Sequence, residues 1–369
     1  MTPVVAMVTR WGVRCGMDNY VRELVDAVSD RLDVRIYAAH EPGIAEDADT
    51  SVVRDWDADA PHVDQLIADL RALRPDLIHV QFNWGYITVN ALGRLLEFAR
   101  ADGIPLVVQL HATFDNPREG SLRAIAAQLG TASRVIVHGE ADVERLRQWG
   151  VADNVWKWRL GEWRWPRRDR NELRECLGIA DRSPVIGTFG FLQPRKSVLQ
   201  IIQAVGLLRE RHPDVLLVAC NSLHPRGFDP AYVLACRNEI ARLGLHPNVE
   251  LITRYLAEDV VMTLLQAADV LVLPHVDTPE GTSAAAKFCI AAGRPLIVSS
   301  EHLFDDYRDS ALTLERVDVG SIAGAVERVV GDVQLARSLA DGAAAHADRL
   351  DWGVVGAEYE ATVRELAGA

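Results

Sequence analysis

The sequence predicts an α/β protein built from two doubly wound domains, each a parallel sheet covered by helices. Three observations predict it. The chain has 369 residues, and at roughly 100–200 residues per domain that length accommodates two. Short apolar runs alternate with helix-period segments from one end to the other. The runs are β-branched and lack polar alternation, as strands buried on both faces of a parallel sheet do.

Taken in order, the first-half strands are expected at 4–8, 77–80, 106–110 and 134–137. The run at 4–8 is too short for the core of a signal peptide and reads as the first buried strand. The helix after it carries an apolar stripe of Tyr20, Val21, Leu24, Val25 and Val28, with Asp18 as its expected N-cap. Second-half strands are expected at 185–189, 215–219, 249–252, 270–273 and 296–298, with helices at 198–211, 230–243, 257–267 and 283–292. Periodicity stops across 156–170, where the domain boundary is placed. That segment holds four of the nine tryptophans (Trp156, Trp158, Trp163, Trp165) and six basic residues. It reads either as a linker whose indoles pack between domains or as a contact with an anionic or interfacial acceptor. Beyond Ser321 the chain is helical. The expected division is 1–160, 161–350 and a final helix, 351–369, returning to the first domain.

Composition excludes several classes. A formal net charge of −13 argues against a nucleic-acid-binding face. No stretch approaches the ~18 apolar residues of a membrane span. The five cysteines (Cys15, Cys176, Cys220, Cys236, Cys289) are widely spaced and contain no CxxC pair, which favours a reducing, cytoplasmic location over a disulfide framework. Acid pairs at 55–59 read as a solvated loop, and no HExxH is present, so no metal site is expected.

In doubly wound sheets ligands bind beyond the carboxyl ends of the strands, and three segments there carry suitable chemistry. The loop 9–18 places Gly16 before a helix N-terminus, where backbone N–H groups can approach an anion. The loop Gly190-Phe191-Leu192-Gln193-Pro194-Arg195-Lys196-Ser197 puts two cations at a helix start. Cations there oppose the helix dipole, so a bound polyanion such as a diphosphate is the reason they need. Lys196 is also one of only three lysines in the chain, with Lys157 and Lys287. The third segment, 279–295, places Glu280 before Gly281, Thr282 and Ser283, which open an almost wholly apolar helix whose one charge is Lys287. A further candidate, His111, ends the apolar run 106–110.

Taken together, these segments resemble the retaining glycosyltransferases of the GT-B fold, family 4 (glycosyltransferase group 1). Cys15-Gly16-Met17-Asp18-Asn19-Tyr20 is similar to that family's glycine loop, with Cys15 at the usual first glycine. Leu110-His111-Ala112 is similar to its N-domain histidine motif, and 190–197 to its phosphate loop. Glu280-Gly281 with Gly293-Arg294-Pro295 resembles the start and end of its two-glutamate motif. Three positions depart from the pattern. Phe288 stands at the second glutamate, Phe191 where an arginine often follows the phosphate-loop glycine, and Leu160-Gly161 where a His-Gly commonly ends the linker.

The resemblance implies two Rossmann-like domains facing across a cleft, an N-terminal acceptor side and a C-terminal nucleotide-sugar side. It implies metal-independent transfer of a sugar, with retention, from a nucleotide diphosphate sugar to an acceptor hydroxyl, the donor being a co-substrate and no cofactor being needed. Catalytic roles fall to His111, Glu280 and Lys196, and donor binding to Gly16, Arg195, Lys196, Glu280, Gly281, Thr282, Ser283 and Lys287. The acceptor is left open among a glycan, a lipid-linked glycan and a small molecule, and peripheral membrane contact stays open with it. Two other readings remain: a catalytically weak GT-B homologue that binds a nucleotide sugar or a partner enzyme, and a GT-B sugar epimerase.

Overall fold

A computed structural model describes residues 2–13, 16–41, 52–60, 62–224, 227–278 and 280–368. It divides into two compact units. The first comprises Met1–Gly161, Pro279–Thr282 and Leu350–Ala369, and the second Glu162–Thr278 and Ser283–Arg349.

The first unit is built on seven parallel strands: β1 (Val4–Thr9), β2 (Asp33–Ala39), β3 (Val52–Trp56), β4 (Leu77–Phe82), β5 (Leu106–Leu110), β6 (Arg134–Val137) and β7 (Val155–Lys157). Their order is β3-β2-β1-β4-β5-β6-β7, so the direction of winding reverses between β1 and β4, the switch point at which doubly wound sheets bind ligands. Every residue of β4 and β5 is buried, the polar His79, Gln81 and Gln109 included.

The second unit has six strands, β8 (Val185–Phe191), β9 (Leu216–Ser222), β10 (Val249–Ile252), β11 (Val270–Leu273), β12 (Leu296–Ser299) and β13 (Leu312–Leu314). They run in the order β10-β9-β8-β11-β12-β13, with the reversal between β8 and β11. Gly187 on β8 pairs with Leu271 on β11, and a Cβ there would lie 2.6 Å from the Leu271 side chain and 3.4 Å from Ala268. Gly187→Ala is therefore expected to cost ~1–3 kcal/mol of stability by overpacking, read as a lower urea midpoint at unchanged m-value.

Four strands were not anticipated from the sequence: β2, β3, β7 and β13. The boundary segment 156–170 also proves structured at both ends. Trp156 lies on edge strand β7, half exposed beneath the Arg134 guanidinium, 4.0 Å from its ring centre. Trp158 packs on Tyr359 and donates from its indole N–H to Glu358 (3.1 Å) within the first unit. Trp163 and Trp165 join the core of the second unit. Among the described residues no helix is long and apolar enough to cross a membrane, and Cys176, Cys220, Cys236 and Cys289 are free thiols.

Candidate functional site

The chemistry-bearing side chains collect at the carboxyl ends of both sheets. The first unit carries Gly16, His111, Glu280, Gly281 and Thr282; the second carries Arg195, Lys196, Ser283 and Lys287.

In the second unit, β8 ends at Gly190 and Phe191. Gly190 has φ +132, a conformation that side chains rarely adopt, and a Cβ there would meet Ala285 of the helix Ala284–Ala292 at 3.8 Å. The chain then makes a tight turn at Pro194–Lys196 and enters the helix Val198–Leu208 through Ser197, a non-glycine residue at φ +53. A left-handed serine is strained by ~1–3 kcal/mol, and such strain gathers at binding loops. The turn is tied to the loop after β11. The Arg195 carbonyl accepts from the Val276 N–H (2.9 Å), and the Lys196 ammonium donates to His275 Nδ1 (3.3 Å). Burial, then the Lys196 and Arg195 charges, hold the His275 ring well below its ordinary pKa, so it is a neutral acceptor that aims the ammonium. Both cations are half-buried.

Around this turn lie polar groups with no hydrogen-bond partner among the described residues: Gln193 Oε1 and Ser197 Oγ after β8, both amide atoms of Asn221 on β9, Thr278 Oγ1 after β11, and Ser299 Oγ on β12. Asn221 is wholly buried and pairs across the sheet with Gly190. An orphaned buried polar atom costs ~1–3 kcal/mol. Their placement along four adjacent strand ends (β9, β8, β11, β12) marks an edge shaped for a polar ligand.

Ser283 caps the helix Ala284–Ala292, accepting from the Ala286 N–H (3.2 Å), and Lys287 is buried in its second turn. Phe288 packs between Phe189 (ring centres 4.6 Å apart) and Trp163 (4.7 Å), so the position of the family's second glutamate is filled by an aromatic cluster. Phe191 meets His224 edge-to-face at 4.7 Å.

In the first unit Gly16 opens the helix Gly16–Val28; its neighbour Cys15 lies outside the described residues. Asp18, expected as the N-cap, instead sits in the first turn. There its buried carboxylate accepts from the Gly12 N–H (2.8 Å) and the Arg22 guanidinium (2.9 Å), and burial raises its pKa. It ties the loop to the helix, and Arg22 lies 4.1 Å over the Trp11 ring.

His111 follows β5, and its Nε2 lies 2.7 Å from Gln81 Oε1. Glu280 and Gly281 belong to the first unit: Gly281 is buried so tightly that a Cβ on it would overlap the Asp142 carboxylate. Asp142 is itself buried, accepting from the Thr113 hydroxyl and pairing with Arg145 at 3.3 Å.

Behind His111, His79 is wholly buried, and burial lowers its pKa from 6.5 to about 3. A depressed folded-state pKa contributes stability above the unfolded value that is lost as pH falls. Between about pH 6.5 and 3, stability is expected to drop by up to ~1.4 kcal/mol per pH unit from this group. Urea unfolding across that range should show the slope, and His79→Gln should flatten it.

Sequence reading passed over Asn221, His275, Gln81 and Asp142. The signal for Asn221 and Gln81 was a polar side chain inside an otherwise apolar strand, in Leu-Leu-Val-Ala-Cys-Asn and Leu-Ile-His-Val-Gln-Phe.

Known proteins resemble this chain in sequence and in fold. Residues 15–161 match the family described as Glycosyltransferase Family 4, and residues 169–345 match Glycosyl transferases group 1, together most of the chain. The chain belongs to the glycosyltransferase group 1 family. Curated relatives include a D-inositol 3-phosphate glycosyltransferase of Salinispora arenicola, 27% identical over 187 residues, 48% of this chain and 40% of that protein. An uncharacterized glycosyltransferase of Methanocaldococcus jannaschii is 28% identical over 169 residues, 44% of this chain and 40% of its own length. The chain thus aligns with less than half the length of these relatives. Among solved structures, Anabaena HepE in complex with UDP superposes with a TM-score of 0.78 at 20% identity, over 99% of this chain and 100% of that one. Sucrose-phosphate synthase from Thermosynechococcus elongatus superposes at 0.78 with 16% identity, over 99% of both chains. This family member therefore has the GT-B fold, two Rossmann-like domains.

Proposed function

We propose that this chain transfers a sugar from a nucleotide diphosphate donor to an acceptor hydroxyl, with retention and without a metal. The observation that carries the reading is the turn 194–197. Two half-buried cations, one of them steered by a neutral histidine, stand beside orphaned polar groups at the strand ends of a GT-B second domain. Sugar–phosphate cleavage builds negative charge on the departing diphosphate, and preorganised cations and N–H donors stabilise that charge as it forms.

Arg195 and Lys196 are assigned to the diphosphate, with Gly16 N–H assisting. Lys287, Ser283 and the amides of Gly281 and Thr282 are further donor contacts, and Glu280 accepts from the sugar's hydroxyls. His111 lines the reaction centre. In the reaction the bond between the sugar's anomeric carbon and the phosphate oxygen breaks, the acceptor oxygen bonds to that carbon on the same face, and the departing phosphate oxygen takes the acceptor's proton. A relative of this chain is named for D-inositol 3-phosphate, and solved neighbours hold UDP and UDP-glucose. UDP-glucose and an inositol phosphate are accordingly the first donor and acceptor to try.

The test is a panel of nucleotide sugars, with and without acceptors, followed for nucleoside diphosphate release. Turnover with one donor, unchanged by EDTA, is expected; strict dependence on a divalent ion would contradict the metal-free route. Phe288 in its aromatic cluster favours a second reading, a nucleotide-sugar-binding homologue with weak catalysis. Donor binding without turnover on any donor or acceptor would select it.

A further inference from the structure

At the amino end of the second unit's sheet, opposite the 194–197 turn, four arginines gather about one carboxylate. Asp269 precedes β11. Its oxygens face Arg170 Nη1 (2.7 Å) and Arg174 Nη2 (2.8 Å) and accept from the Val185 N–H (2.8 Å). Arg174 also donates from Nε to the Ala267 carbonyl (2.8 Å), and Arg294 donates from Nε to the Gln266 carbonyl (2.7 Å), both at the C-terminus of the helix Glu258–Gln266. The Arg167 guanidinium lies against Gly293, the left-handed residue (φ +64) that ends the helix Ala284–Ala292; a Cβ there would be 2.5 Å from its Cζ. Buried Gln266 fixes the backbone on either side of Arg167, donating to the Pro166 carbonyl (3.0 Å) and accepting from the Arg168 N–H (3.2 Å).

Helix capping accounts for only part of this charge. Four guanidinium groups face one carboxylate, and the C-termini of the two helices contribute roughly half a negative charge each. About two positive charges remain uncompensated on that count, in a chain whose formal net charge is −13. Arg167 is exposed and has neither an ion pair nor a hydrogen bond among the described residues. The repulsion reaches its neighbours: burial, then the Arg170, Arg167 and Arg174 charges, lower the Arg294 pKa to about 10 against the opposing pull of Asp269. Like charges held together in this way favour an anion among them. A phosphate carries about −1.5 to −2 charges near neutral pH, which matches the excess, and guanidinium forks match the spacing of its oxygens.

We propose that Arg167, Arg170 and Arg294 form a second anion site on this chain, one that takes a soluble phosphate or phosphate monoester. Arg174 supports it from beneath the surface, being 7% exposed and already occupied by Asp269 and Ala267. The site is separate from the donor turn. β8 runs from Val185, whose N–H meets Asp269, to Phe191, just before that turn, so ~20 Å of strand lies between the two. Arg294 is half-buried, which suits a small ligand that can enter over one spread across a flat surface. None of these residues takes part in the proposed glycosyl transfer, so the two readings stand or fall separately.

The test is calorimetric titration of inorganic phosphate into the full chain carrying Arg195→Ala/Lys196→Ala, which removes the cations of the donor turn. Saturable binding at one site is expected, with a melting temperature that rises with phosphate concentration. Sodium chloride at equal ionic strength should not reproduce the rise; if it does, the effect is screening alone and the proposal fails. Arg167→Gln on the same background should weaken phosphate binding at least about tenfold, as loss of a charge-assisted contact does. Unchanged affinity in that variant overturns the assignment. Should the variant fail to fold, the wild-type protein decides. Phosphate should protect Arg167 from phenylglyoxal, read by peptide mass spectrometry, while Arg316, whose side chain is 81% exposed, stays reactive. An unprotected Arg167 refutes the site. Binding of phosphatidate vesicles or of a glutamate-rich peptide, with no response to free phosphate, would likewise overturn it in favour of a membrane or an acidic protein segment.

Discussion

Lys196→Ala is expected to cut turnover by ~10²–10³-fold without unfolding the protein, the usual loss when one preorganised donor to a developing anion is removed. The structure explains why stability should survive. The lysine is half-buried, and its ammonium donates to His275 Nδ1 at 3.3 Å. His275 is already held neutral, chiefly by burial, and then by Lys196 and Arg195. Removing the lysine relieves one of those charges and leaves a neutral ring without a donor, not a buried ion without a partner. Lys196→Arg should recover only part of the rate, because a planar fork does not reproduce a point charge aimed by an imidazole. Steady-state rates beside circular dichroism and melting curves decide the matter. A wild-type rate in the alanine variant would detach Lys196 from the leaving group.

Gly281→Ala is expected to lower kcat/KM by ~10²-fold, because an added methyl would overlap the Asp142 carboxylate and the backbone beside Glu280 must move; displacements near 1 Å at a reacting centre carry that penalty. Asp142 cannot simply retreat, being buried and bound by Thr113 and Arg145. Asp142→Ala should open the missing space, so the double variant should recover activity relative to Gly281→Ala alone. Purely additive losses in that cycle would show that the clash is not what displaces Glu280.

The architecture was legible wherever burial was complete. β4, β5, β6 and β11 are buried at every residue, and a strand covered on both faces is written mostly in apolar residues, here with His79, Gln81, Gln109 and Arg134 as the buried polar exceptions. The strands that escaped notice are short or peripheral. β3, β7 and β13 are sheet edges, two of them only three residues long, and β2 opens with the half-buried Asp33 and the exposed Arg35 around Val34. Half-exposed strands lose the signature that burial imposes.

For the candidate site, the loops could be read because they break local rules: paired cations where a helix begins, and an acidic residue at the mouth of an apolar helix. Their partners could not. His275 lies 79 residues from Lys196, and Gln81 lies 30 from His111. Such pairs are made by strand order alone, and sequence periodicity contains no information about which strand ends become neighbours. Asp18 shows the limit at short range. Its residue type suited a cap, yet the helix begins two residues earlier and the carboxylate turns back to Gly12.

Calorimetric titration of the full chain with uridine, guanosine, adenosine and thymidine diphosphates tests the central claim most directly. One of them should bind the wild-type protein, and an Arg195→Ala/Lys196→Ala double variant with an intact melting transition should bind it at least ~10²-fold more weakly, as expected when two charge-assisted contacts to a diphosphate are lost. Equal affinity in the two proteins, or no binding of any diphosphate to the folded wild type, would contradict the account.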